Sequence, residues 1–173
     1  MSFKDESLLK KYLNPIFVET GTQRGDGVDL ALKSGFKSVY SIEINENLYK
    51  GCLEKYKGEG RVRLFFGDSM DVLPSILETI NEPVTFWLDA HVNGKGVKAL
   101  GKKANPILQE IEIVMAYPYP KIIFIDDIRL FIKKRGVWGY IGLEDVINKI
   151  NSYGNFDISY EEGYKRNDIM VVR

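Results

Sequence analysis

Five carboxylates in this 173-residue chain stand where chemistry is easiest to arrange: Glu19, Glu43, Asp68, Asp89 and Asp126, the last followed directly by Asp127. Each closes, or lies just past, an apolar run with strand character: Ile16–Glu19, Ser38–Glu43, Val62–Phe66, Val84–Asp89 and Lys121–Ile125. In an open α/β sheet, ligands bind beyond the carboxyl ends of the strands. Any one of these acids can be explained as a turn former or helix cap. Five of them at five strand exits point to a binding and reaction cleft. The single histidine, His91, sits two residues past Asp89. Its ordinary pKa lies near neutrality, so it is a candidate general base for a hydroxyl proton; contact with a metal or a substrate, or a plain loop position, are the alternatives.

The stretch Phe17-Val18-Glu19-Thr20-Gly21-Thr22-Gln23-Arg24-Gly25-Asp26-Gly27 runs from an apolar strand end through a glycine-spaced turn into a helix. A tight turn without Cβ atoms lets a ligand approach the backbone, and a helix N-terminus offers free N–H groups. Glu43, at the tip of the next strand, is placed to accept ribose hydroxyls. Together these features predict a nucleoside-containing cofactor without saying which one.

The elements that must hold these residues alternate. Helical patterns at Gly27–Lys33, Glu46–Tyr56, Met70–Ile80 and Pro106–Met115 separate the five strands, which predicts a parallel sheet covered on both faces. The strands are nearly continuous apolar runs, as expected when both faces are buried. A short amphipathic helix within residues 1–14 precedes the first strand and stops at Asn14-Pro15. After the fifth strand come a polar and aromatic stretch over Arg129–Tyr140, a helix near Leu143–Ser152, and the segments Phe156–Tyr160 and Asp168–Val172, which are spaced to pair as a hairpin. The expected architecture is an α/β Rossmann-like fold: one domain over residues 1–173 with a mostly parallel seven-stranded sheet ending in an antiparallel hairpin.

Over essentially its whole length the chain resembles the class I S-adenosylmethionine-dependent methyltransferases. Glu19-x-Gly21-x-x-x-Gly25 is similar to that family's first motif, and Glu43 to its ribose-binding acid. Gly67-Asp68-Ser69 matches the motif that flanks the adenine, and Asp89 the end of its fourth strand. The resemblance implies a cofactor site formed by Glu19, Thr20, Gly21, Gly25, Glu43, Ile44, Asp68, Ser69 and Asp89. A narrower similarity, carried by Asp89-Ala90-His91 and Asp126-Asp127, is to metal-dependent O-methyltransferases of catechols and macrolide sugars. It implies that Asp89, Asp126 and Asp127 hold a divalent cation such as Mg²⁺, which would acidify and orient an acceptor hydroxyl. Asp89 and His91 would then be the catalytic pair, acting on a small-molecule or glycan acceptor.

Three other readings compete, one of them a nucleic-acid methyltransferase, for which the chain lacks an Asn-Pro-Pro-Tyr-type motif and offers only the lysines of Val92–Asn105. Thr20-Gly21-x-x-x-Gly25-x-Gly27 also fits the glycine pattern of nicotinamide-dependent short-chain dehydrogenases, but those need Tyr-x-x-x-Lys on one helix. Here the only such spacing, Tyr117 to Lys121, contains Pro118 and Pro120. A non-catalytic cofactor-binding subunit would leave Asp89, His91, Asp126 and Asp127 unexplained. Lys+Arg and Asp+Glu both number 24, so no general pull toward nucleic acid or membrane is implied. The lone Cys52 excludes an internal disulfide and reads as a small buried hydrophobe, and no apolar run is long enough to span a membrane. A cytoplasmic protein is expected.

The segment Val92–Asn105, with Gly94, Gly96, Gly101 and Lys95, Lys98, Lys102 and Lys103, is expected to be a flexible loop, either solvated or acting as a lid over a substrate. Arg129, Arg135, Trp138 and Tyr140 fall where substrate walls are expected, and Trp87 is expected in the core. So small a cap suits a sugar on a larger glycan, or a site completed by a second subunit in a homodimer.

Overall fold

The computed structural model describes residues 6–91, 100–132 and 140–173. Seven strands form one sheet in the order β3-β2-β1-β4-β5-β7-β6. Strands β1 (Ile16–Thr20), β2 (Ser38–Glu43), β3 (Val62–Phe66), β4 (Val84–Leu88) and β5 (Lys121–Ile125) run parallel. β7 (Ile169–Val172) lies antiparallel against β5, with Phe124 opposite Val171, and pairs in turn with β6 (Ile158–Glu161). The five parallel strands and the closing hairpin agree with the sequence reading to within a few residues.

The continuity of the apolar runs has a direct cause. Alternate residues of each central strand enter different cores, and both cores are apolar. On one face Val18, Ile42, Leu88 and Ile125 pack against Leu73 of α4 (Ser69–Leu77), Ile111 of α5 (Ile107–Ala116) and Val146 of α7 (Leu143–Asn151). On the other, Phe17, Val39, Trp87 and Phe124 pack against Leu9 and Val28, on α1 (Ser7–Lys11) and α2 (Asp26–Ser34). Trp87 is fully buried there, and Cys52, on α3 (Glu46–Lys55), is buried and free.

The sheet order reverses between β1 and β4. From β1 the chain moves outward through β2 and β3, then returns to the other side for β4 and β5. The exits of β1 and β4 therefore open onto one crevice, the usual ligand position in such sheets. The two exits nearly touch: a Cβ at Gly21 would lie 2.6 Å from the carbonyl oxygen of Asp89. Gly21 also has φ +88°, and its N–H and that of Thr22 both reach the carbonyl of Ile42, at 2.9 and 3.1 Å. One backbone knot thus ties three strand exits together.

Two features refine the sequence reading. Asp68 caps α4 by accepting the N–H of Met70, so the helix starts at Ser69. A four-residue helix α6 (Ile128–Phe131) forms directly after β5, overlapping the start of the polar and aromatic stretch, for which no element was expected. Asp168 holds it: its carbonyl accepts the Ile128 N–H at 2.9 Å and its carboxylate the Arg129 N–H at 3.0 Å. Residues 92–99 of the predicted loop lie outside the described residues, as do Arg135 and Trp138.

Gly21→Ala should lower unfolding stability by about 1–3 kcal/mol in urea denaturation, because the new methyl group meets backbone and not a movable side chain. A wild-type midpoint would overturn the proposed knot between the β1 and β4 exits.

Candidate functional site

A cleft of about 400 Å³ opens at the carboxyl ends of the parallel strands, bordered by Gly21, Glu43, Ile44, Asp68, Asp89 and His91 among others. Glu43 ends β2 with its carboxylate fixed by two backbone donors. Gln23 N–H reaches Oε2 and Asn45 N–H reaches Oε1, both at 2.7 Å. This orientation keeps the acid at the cleft wall, where its remaining lone pairs suit hydroxyl donors. Asp68 and Ser69 line the neighbouring wall. One oxygen of Asp68 serves the α4 cap, and the other accepts the Lys102 N–H at 2.8 Å. Asp68 therefore fastens the segment at Lys102, and a Cβ at Gly101 would press on it at 2.6 Å.

Three predicted cofactor residues stand behind the cleft. Gly25, left-handed at the start of α2, lets the Tyr56 hydroxyl reach its carbonyl at 2.6 Å, where a side chain would collide. Thr20 ends β1 fully buried, and its Oγ1 accepts the Asp89 N–H at 3.2 Å. Glu19 points into the sheet's α2 side and takes a 2.6 Å hydrogen bond from Ser41, which lies 2.6 Å from the Thr22 hydroxyl. Burial pushes its carboxyl up to about 8, against the opposing effect of Ser41. Glu19 thus braces the turn from below and does not line the cleft.

Beside the cleft lies an acid–imidazole centre. His91 Nε2 is 3.0 Å from Asp127 Oδ2, and Nδ1 is 3.5 Å from Asp89 Oδ1. One ligand atom from each of the three residues fits within a 4.8 Å cluster able to hold a metal ion. Asp127 reaches it through a left-handed backbone, φ +60°. The predicted third acid, Asp126, is fully buried just behind, with Oδ1 accepting the Asp127 N–H at 2.7 Å, and His91 takes its place in the cluster. Burial alone would lower the His91 pKa. The hydrogen bond to Asp127 and the charges of Asp89, Asp127 and Asp126 outweigh it, so the imidazolium is favoured. Asp127 is held well below the usual carboxylate range: burial opposes this, but His91 and Arg129 prevail.

Two contributors escaped the sequence reading. Arg129, expected as a substrate wall, instead pairs with Asp127 at 2.5 Å and with the buried Asp168. Asp168 thereby connects β7 to the centre. Glu110, on α5, is buried beside the Ser69 and Thr20 hydroxyls, and burial pushes its carboxyl up to about 7 although those hydroxyls favour the anion. The visible signal was a lone charge on the apolar stripe Ile107–Ile111–Val114. Tyr140 is exposed, and its backbone is left-handed. Tyr117 and Lys121 lie at the opposite end of the sheet from the cleft, where the tyrosine hydroxyl is given to the Glu82 carbonyl. A dehydrogenase pair is therefore absent from the cleft among the described residues.

By sequence the chain matches no family model and no curated protein. Solved structures do match. An O-methyltransferase of Bacillus cereus in complex with SAH superposes with a TM-score of 0.62 and 16% identity, over 96% of this chain and 77% of that one. The Streptomyces achromogenes O-methyltransferase TomG, involved in tomaymycin synthesis and solved with SAM, gives 0.62 and 13%, over 96% and 75%. A Clostridium thermocellum protein provisionally assigned as an rRNA methylase gives 0.65 and 13%, over 99% and 97%. The chain has the methyltransferase fold. No helix among the described residues is long and apolar enough to cross a membrane.

Two buried glutamates make stability above about pH 5 fall as pH rises. Glu19 and Glu110 bind protons more tightly folded than unfolded, so stability is lost as pH rises from about 4.5 through about 8 and about 7 respectively. His91, with its raised pKa, acts in the same sense above its unfolded value. The urea midpoint should therefore fall between about pH 5.5 and pH 8.5, and Glu19→Gln should flatten that fall. A midpoint that rises across this range would contradict the burial of these charges.

Proposed function

We propose that this chain is an S-adenosyl-L-methionine-dependent O-methyltransferase acting on a hydroxyl of a small molecule or of a sugar on a glycan. The observation that carries the reading is the juxtaposition of the Gly21–Glu43–Asp68 cleft with the Asp89–His91–Asp127 centre on adjacent strand exits of a methyltransferase fold. The neighbours with SAH or SAM bound support the donor. In this reading Gly21 admits the methionine end, Glu43 and Ile44 face the ribose, and Asp68 and Ser69 flank the adenine side. Glu19, Thr20 and Gly25 shape the turn from behind.

The reaction is one in-line displacement. The acceptor oxygen forms a bond to the methyl carbon while the carbon–sulfur bond breaks, its electron pair passing to sulfur. The hydroxyl proton goes to His91 in its neutral form, and Asp89 and Asp127, which face the two ring nitrogens and raise its proton affinity, stabilise the imidazolium formed. Two carboxylates and an imidazole, all buried and mutually close, form a donor set that fits a divalent cation. Asp89 and Asp127, with Asp126 behind them, would hold Mg²⁺, which supplies Lewis acidity toward the acceptor hydroxyl when bound. A cytoplasmic location and a homodimer that completes the open site belong to the same proposal.

Calorimetry with S-adenosylhomocysteine and with NAD, each with and without Mg²⁺, tests the donor: S-adenosylhomocysteine should bind and NAD should not. Asp127→Ala should abolish metal-dependent turnover while S-adenosylhomocysteine affinity stays within about threefold, because Asp127 sits on the acceptor side. Asp126→Ala should show the same pattern if it joins the metal set. Full turnover in excess chelator would rule the metal out.

A further inference from the structure

A second cavity, of about 650 Å³, lies between the C-terminal ends of α4 and α5, where the chain turns back to enter β4 and β5. It is therefore at the end of the sheet away from the cleft. Leu77, Ile80 and Tyr117, all buried, line it together with Ile113. Tyr117 commits its hydroxyl to the Glu82 carbonyl at 2.6 Å, and its ring meets that of Tyr119 with centroids 5.4 Å apart. Tyr119 also borders the cavity and is 40% exposed. This size and this apolar, aromatic lining are those of small-molecule sites. The two helices keep it apart from the cleft: α4 begins at Ser69 and α5 follows Pro106, both cleft residues, and helices of this length span about 13–15 Å.

The charge around this cavity has one sign. Its charged lining residues are Glu78 and Glu112, and no lysine or arginine is among them. Both helices add to that sign, because their carbonyl ends carry the negative pole of the helix dipole and neither has a basic residue in its last turn. Two lysines nearby are already engaged: Lys149 reaches Glu112 Oε2 at 2.8 Å, and Lys121 gives its ammonium group to the Tyr117 carbonyl. Glu78 has no ion pair among the described residues. We propose that this cavity binds an amphipathic organic cation of small-molecule size. Its apolar body packs on Leu77, Ile80 and Ile113, and its ammonium group is held by Glu78 and Glu112, with Tyr119 as an aromatic partner for the charge. The proposal concerns a site separate from the cleft and stands independently of the methyl-donor reading.

Three probes of one shape and different charge test it: phenylpropylammonium, phenylpropanol and phenylpropanoate, each titrated into the full chain and followed by amide NMR shifts. The ammonium probe should bind about tenfold more tightly than the alcohol, and the carboxylate more weakly than either. The amides that move should be those of Leu77–Asn81 and Ile113–Tyr119. Replacing both acids, Glu78→Gln with Glu112→Gln, should bring the ammonium probe to the affinity of the alcohol while the alcohol stays within about twofold. Both side chains are exposed, so the fold does not depend on them. Ala116→Trp, which puts an indole at the cavity wall, should weaken all three probes. Equal affinity for ammonium and alcohol, or an ammonium preference that survives the double glutamine variant, would overturn the proposal. So would shifts confined to the cleft residues, or no binding of the ammonium probe at all.

Discussion

Everything at the working end of this sheet depends on confining several carboxylates in a small buried volume without leaving them isolated. Unpaired anions there would destabilise the fold, and several kinds of donor hold them. Two backbone N–H groups hold Glu43, and the Ser41 hydroxyl holds Glu19. Asp68 takes a helix cap on one oxygen and the Lys102 backbone on the other. Asp127 and Asp168 share the guanidinium of Arg129, and Asp127 also faces His91. The acids are thus oriented before any ligand arrives, and the arrangement of donors decides which of them face the cleft.

This explains a division among residues that look alike in sequence. Glu19 and Glu43 both end parallel strands, yet one braces the turn and the other borders the cleft. Their roles follow from side-chain direction and from the donors on the next strand. Ser41 lies opposite Glu19 in the β1–β2 register and draws it inward, whereas Gln23 and Asn45 approach Glu43 from turns at the strand exits.

Much of this was legible in the chain. Buried parallel strands need continuous apolar runs, and such runs marked five strands whose exits carried the acids. Gly21 and Gly25 are required by backbone geometry, so spacing alone could locate the turn. The Pro118 and Pro120 argument against a dehydrogenase pair agrees with where Tyr117 and Lys121 lie, at the far end of the sheet. Interactions joining distant segments were not legible. Asp168 meets Arg129 across 39 residues, and Glu110 comes under Ser69 only once α4 and α5 pack together. The closeness of Asp89, His91 and Asp127 was not legible either, since it joins two strand exits, and Asp127 takes part through a left-handed backbone, an unusual conformation for a residue with a side chain.

The insertion of β7 between β5 and β6 has a consequence in time. Asp168, at the start of that strand, supplies both the carbonyl that receives Ile128 and the carboxylate that orients Arg129. The strand joins the sheet by long-range pairing, which is slow because loop-closure entropy is spent before contacts form. During synthesis the five parallel strands and the glycine turn emerge first and the segment around Asp168 comes later. The Gly21–Glu43–Asp68 side of the cleft can therefore take shape on a growing chain while the acid–imidazole centre still lacks its brace. The two sides of the cleft are thus completed in sequence, and β7 acts as the developmental checkpoint between them.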